Sequence, residues 1–303
     1  MTTISAGTLS VGSIGNGGVS GNLGAASTAA ASLVFDGGTL QSTGATAGTD
    51  RNFTINAGKT ATFDITTNTL TVSGASTATN GALTKTGAGT LTLSGANLYT
   101  GATTINAGIL KVDNDGTTTF GKITGSNVTG SIAVNTGGTL LLSGAGDHLG
   151  NSAAMTLNGG IFNTGGFSET LGVLTLSLSS VIDMGAGASI LHFLDSSETT
   201  WTGTLSIWNW SGNTLGGGTD QLFFGNGSGT GLTASQLTQV KFYSDAGTTI
   251  LPFAPGFSAF TGGFGEVVPV PEPSSIFVAM GLLGLAGWRE HGRARSKCRA
   301  GRA

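Results

Sequence analysis

Gly81 to Val112 reads GALTKTGAGTLTLSGANLYTGATTINAGILKV, and its pattern decides the fold. Runs such as Leu91-Thr92-Leu93 and Ile109-Leu110-Lys111-Val112 alternate apolar with polar residues. That period of two sends one side chain inward and the next outward along a strand, so Leu91, Leu93, Ile105 and Leu110 are expected inside. Asn and Gly punctuate the runs, because both tolerate positive φ and Asn can bond its own backbone at a turn. A single coil of this kind cannot bury its apolar face, whereas stacked coils can. The expected architecture is all-β: a right-handed parallel β-helix, or β-solenoid, over residues 1–200.

The same corner recurs along the chain as a tetrad: an apolar residue, then Asn, Asp or Ser, any residue, then Gly. It appears at Ile4, Phe35, Ile55, Ile105, Val134, Leu157 and Ile182. The steps between the tetrad glycines average roughly 25 residues if the longest counts as two coils, inside the solenoid range. Asp36 and Asp183 stand at the corner position, which gives them a structural role.

Composition agrees. Of 303 residues 54 are Gly and only 9% are charged, against about 7% and about 25% in ordinary globular chains. The hydrophobic fraction is 38%, too high with so small a net charge for a disordered chain. Glycine does not recur at every third residue, which excludes collagen. The charge is unevenly spread: Met1 to Pro273 holds six cations and fourteen acids, a net of −8. Such a body repels phosphate backbones, so no nucleic-acid partner is expected. The lone Cys298 excludes an intramolecular disulfide.

Gly81 to Val112 closely resembles the autotransporter-associated β-strand repeat. The matching positions are Leu83-Thr84-Lys85, Gly87, Gly89-Thr90-Leu91, Leu93-Ser94-Gly95, Asn97, Tyr99-Thr100-Gly101, Thr103, Ile105 and Gly108. The resemblance implies a parallel β-helical stalk on an exported bacterial protein. Thr2 to Val11 repeats Thr103 to Val112 with seven of ten identities. The chain thus opens inside a repeat without a signal-peptide pattern, and a misplaced start or a fragment is the expected cause. Autotransporters of the usual kind end in a membrane barrel; this chain ends differently.

Val267 to Ala303 carries Pro271-Glu272-Pro273, an apolar run from Ile276 to Trp288, and a tail with Arg289, Arg293, Arg295, Lys297, Arg299 and Arg302. Together these resemble the PEP-CTERM sorting signal. The resemblance implies export, processing near the triplet by an exosortase, and release to the cell surface or medium. The run's thirteen residues would cover ~20 Å as a helix, short of the ~30 Å hydrocarbon core, so it makes a transient inner-membrane anchor. Its flanking cations hold the tail on the cytoplasmic side.

Residues 201–266 differ again, with three of the four Trp residues. Leu205 to Trp210, Leu222 to Phe224 and Val240 to Tyr243 read as strands. Thr233 and Gln236 have capping-box spacing for a short helix through Gln239. A β-rich cap is expected here, with the Trp residues as an aromatic plug in preference to a sugar-stacking platform, since solenoid ends require caps.

Catalytic patterns fail. Gly58-Lys59-Thr60 lacks the upstream glycine of a phosphate loop, and no GxGxxG occurs. His148, His192 and His291 lack metal-protease spacing. Asp147-His148 reads as a loop position. Asp113-Asn114-Asp115-Gly116 reads as an Asx turn, with weak cation binding at Asp113 and Asp115 left open, and Gly217-Gly218-Thr219-Asp220 falls short of a calcium repeat. No catalytic residue, cofactor or metal is expected. Two functions remain. One is a surface or matrix protein, structural or adhesive, with exopolysaccharide or other matrix material as a partner. The other is a β-helical polysaccharide lyase or hydrolase. Such enzymes gather carboxylates with Arg or Lys on one face, whereas Arg51 is this body's one arginine and its acids are scattered.

Overall fold

A computed structural model describes residues 1–115, 130–225, 231–257 and 265–270. The described chain is all-β apart from a 3-10 turn at Ala30–Ser32 and a helix at Ala234–Thr238. Most strands lie in two parallel sheets of nine and eight strands, beside two parallel sheets of three and one antiparallel pair. The chain alternates between the two large sheets. Ala82–Thr86 lies in the eight-stranded sheet, Thr90–Leu93 in the nine-stranded one, Thr103–Ile105 in the first again and Gly108–Asp115 in the second. Each strand pairs with its counterpart one coil away, Leu91 opposing Leu70 on one side and Leu110 on the other. Leu91, Leu93, Ile105 and Leu110 are all completely buried, as the alternation requires.

The repeat's polar residues fasten coil to coil. Lys85 points inward and is completely buried. Its ammonium donates to the carbonyls of Thr86 at 2.6 Å, Gly87 at 2.8 Å and Ala107 at 3.1 Å, joining its own corner to that of the next coil. Burial lowers its pKa to about 8, against the pull of the Asp64 carboxylate. Tyr99 is equally buried, and its hydroxyl meets Thr103 Oγ1 at 2.9 Å. That burial holds the phenol well above its usual range. Gly95 lies where neighbouring coils approach closely: a Cβ there would stand 2.4 Å from the Gly74 carbonyl oxygen.

The tetrad's second residue forms amide ladders. Asn135 Nδ2 donates to Asn106 Oδ1 at 2.7 Å, and Asn158 Nδ2 to Asn135 Oδ1 at 3.0 Å. Asn56 bonds Asp36 likewise, while Asp183 accepts from Asn163 and Asn209. These ladders satisfy amides that would otherwise need water at a crowded corner. The tetrad marks more than one corner, however. Phe35-Asp36 and Ile55-Asn56 precede strands of the eight-stranded sheet, whereas Ile105-Asn106 and Val134-Asn135 precede strands of the nine-stranded one. The 50-residue step is therefore not two whole coils; it also crosses from one corner to another.

Outward, the eight-stranded sheet carries Thr8, Thr39, Thr62, Thr84, Thr104, Thr156 and Thr175 in one register column, interrupted by Ala133. The face is thus polar with little charge.

Parallel pairing continues past residue 200: Leu205–Trp208 pairs with Ser180–Asp183, and Val240–Phe242 with Leu205–Trp208. The helix Ala234–Thr238 has the expected capping box from Thr233 and Gln236. Ala254–Phe257 and Val267–Val270 then form the antiparallel pair. Trp201 and Trp210 are buried, packed edge-on to Phe224 and Phe242.

Candidate functional site

Two neighbouring coils build a fastened corner beside a cleft. His148 follows the strand Gly138–Ala145, and Glu169 opens the strand Glu169–Leu171 one coil later. Both side chains are completely buried. Glu169 Oε1 accepts from the His148 backbone N–H at 2.8 Å and lies 2.9 Å from His148 Nδ1, while Oε2 accepts from the Leu149 N–H at 3.2 Å. His148 Nε2 faces the Ser143 carbonyl at 2.8 Å, so this nitrogen carries the proton it donates there. Burial pushes the Glu169 carboxyl above its usual range, and the hydrogen bonds from His148 pull it back. With both oxygens held from inside, this carboxylate staples one coil to the next.

Beside the staple opens a cleft of about 320 Å³, lined by Asp147, Asn151, Ser168, Glu169, Thr170, Ile190 and His192. Asp147, Asn151, Ser168 and Thr170 are exposed, whereas Ile190 and His192 are half-buried and form its floor. The strand pairing sets that floor: Thr170 lies opposite His192, and His192 opposite Phe223. The imidazole stacks on the Phe223 ring with centroids 4.3 Å apart and planes 7° from parallel. Burial lowers the His192 pKa, which favours its neutral form. The cleft therefore presents hydroxyl, amide, carboxylate and imidazole groups.

The residues singled out from sequence are mostly elsewhere. Asp113 and Asp115 lie in the strand Gly108–Asp115, opposite Ser143 and Ala145. Parallel pairing thus overrides the expected Asx turn, and Asp113 instead meets Lys111 at 3.4 Å. Lys59 sits at the surface, 3.8 Å from Asp36. Asp220 is buried, accepting from Ser189 and Ser211, and Gly217 donates to Glu266. Among the described residues no three His, Cys, Asp or Glu side chains gather as a metal site. Pro271, Glu272, Pro273, the 276–288 run and the six tail cations lie outside the described residues. Among those described, no helix is long and apolar enough to cross a membrane.

Sequence reading missed the His148–Glu169 pair and the cleft. One signal could have found them: 21 residues separate the two partners, close to one coil.

Comparison with known proteins places the repeat. Residues 83–112 match the family model described as passenger-associated-transport-repeat. The adhesin BmaC autotransporter of Brucella suis biovar 1 (strain 1330) is 39% identical over 199 residues, which cover 63% of this chain and 6% of that protein. The chain thus spans a small fraction of that relative's length. No solved structure matches. The chain carries an autotransporter-associated repeat within an all-β, mainly parallel framework.

Proposed function

We propose that this chain is an exported bacterial surface protein with a structural or adhesive role and no catalytic one. The observation that carries the reading is the passenger-type repeat at 83–112, embedded in a longer likeness to an autotransporter adhesin. The strand pairing supports it. Coils that alternate between two long parallel sheets suit the right-handed solenoid we place over residues 1–200, a stiff spacer with outward faces for contact. The nine-stranded sheet runs on from it to Val240–Phe242. Residues 201–266 then act as the cap, through buried Trp201 and Trp210, the helix and the strand Ala254–Phe257, which pairs with Val267–Val270 just beyond it. The threonine column gives a hydrated, weakly charged surface suited to matrix material such as exopolysaccharide. Against the lyase or hydrolase reading, the Glu169 carboxylate at the cleft has both oxygens engaged by His148 and Leu149.

The C-terminal segment supplies sorting. Pro271-Glu272-Pro273 would lie just outside the inner membrane while 276–288 pauses in it, and charges are costly to draw through hydrocarbon. Proline donates no backbone hydrogen bond and disfavours helix, which suits the triplet to recognition by an exosortase. The mature protein would then reside at the cell surface or in the medium without its tail cations.

The test is expression behind a working export signal in a host with an exosortase, followed by mass spectrometry of the external fraction. The expected product ends near Pro273, and Glu272→Gln accumulates as membrane-bound precursor. External protein that retains peptides from Trp288 to Ala303 would refute the processing. Protein confined to the cytoplasm despite the export signal would refute surface residence.

A further inference from the structure

We propose that the cleft beside the His148–Glu169 staple is a binding site for a neutral sugar unit. The inference rests on the surface-adhesive reading and names the ligand class for one face of that surface. Its shape comes first: about 320 Å³ lies at the small end of ligand sites, enough for one or two sugar rings. Its chemistry follows from the lining. The Ser168 hydroxyl, which already accepts from the Ile190 N–H, is left to donate, the Thr170 hydroxyl and the Asn151 amide can donate and accept, and the Asp147 carboxylate can accept. Vicinal sugar hydroxyls need that mixture of donors and acceptors. The His192 imidazole, flat on Phe223 on one side and flanked by Thr170 on the other, turns its edge to the cleft, where its ring nitrogen can bond a sugar hydroxyl.

The same lining argues against other ligands. No Lys or Arg borders the cleft, so a phosphate, sulfate or uronate would meet carboxylates without a counter-charge. No metal-ligating group of three forms there among the described residues. An apolar ligand would find Ile190 but would lie against four exposed polar side chains. The staple has a part in this: by fixing the turn that carries Asp147 and Asn151 against the strand that carries Thr170, it preorganises the two walls.

The experiment is saturation-transfer NMR and calorimetric titration of the full chain. The probes are cellobiose, maltose and lactose, with galacturonic acid and glucosamine as the charged arms. At least one neutral disaccharide is expected to bind with a millimolar Kd and galacturonic acid more weakly, while glucosamine, a cation beside Asp147, is the arm that separates a neutral-sugar site from a cation-binding one. Thr170→Trp, at an exposed position, should fill the cleft and weaken binding at least tenfold. Asn151→Ala, which leaves the core untouched, should weaken it several-fold, and Lys241→Ala should leave it unchanged. Absence of binding by all three neutral sugars, preference for a charged sugar, or equal binding by both cleft variants would overturn the proposal. The adhesive reading is scored separately. Cells that adhere equally well with the wild-type and Thr170→Trp chains would overturn the cleft's role and leave adhesion standing.

Discussion

Replacing Gly95 by Ala tests the physical account of the repeat more sharply than any core truncation. The added Cβ would stand 2.4 Å from the Gly74 carbonyl oxygen and 2.6 Å from both the Gly74 carbonyl carbon and the Ser73 oxygen. A comfortable carbon–oxygen contact is about 3.3 Å, so the overlap is near 1 Å and involves backbone that cannot rotate away. Relief requires parting two coils whose strands sit about 4.8 Å apart. Overpacking a well-fitted interior costs roughly 1–3 kcal/mol, and a rigid partner puts this site at the upper end, about 3 kcal/mol. Gly58→Ala is the matched control. Nothing lies within 4 Å of its Cβ, but its φ is +70°, so only the left-handed backbone penalty of about 1–2 kcal/mol applies. Gly58→Asn should recover part of that loss, and Gly95→Asn should recover none. Urea unfolding followed by circular dichroism measures all four. A Gly95→Ala protein within about 0.5 kcal/mol of wild type, the spread of ordinary surface changes, would refute close coil stacking as the reason for that glycine.

Three further outcomes are expected. Because the buried Lys85 ammonium titrates near 8 in the folded chain and near 10.5 when unfolded, the unfolded chain holds the proton more tightly over that window. Stability should therefore rise as pH climbs from about 8 to 10.5, by at most about 3 kcal/mol. Melting curves of Lys85→Met should lack that rise, and an identical pH profile would contradict the buried-ammonium assignment. Glu169→Ala strands His148 Nδ1 and two backbone N–H groups in the interior and should cost about 3–5 kcal/mol in urea titration; a wild-type midpoint would mean the staple does not form. Leu93→Asp places an unpaired carboxylate at a completely buried position and should cost several kcal/mol, and an unchanged melting temperature would count against the inward register.

Much of the framework was readable because it depends on local alternation. Leu91, Leu93, Ile105 and Leu110 follow from a period of two, and Thr233 with Gln236 from capping spacing. The corner Asn residues were recognisable as a recurrence, but not their pairing, since a ladder joins residues 20 to 29 positions apart. Lys85 was hidden for a different reason. A charged side chain suggests solvent, and only the three converging carbonyls of adjacent corners show why it is inside. Asp113 to Asp115 misled because turn propensity is local, whereas the partner strand at Ser143 to Ala145 lies a coil away. The cleft was out of reach for the same reason: Asp147, Thr170 and His192 come from three successive coils.

The most direct test of the surface-adhesive claim is an adherence measurement on cells that export the chain. A strain carrying it behind a functional export signal is compared with the same strain carrying Leu93→Asp, and protease shaving confirms display. The account predicts that the wild-type chain is shaved from intact cells and raises adherence to a polysaccharide-coated surface, while the misfolded variant does not. A wild-type chain that is fully displayed yet leaves both adherence and matrix retention unchanged would contradict it.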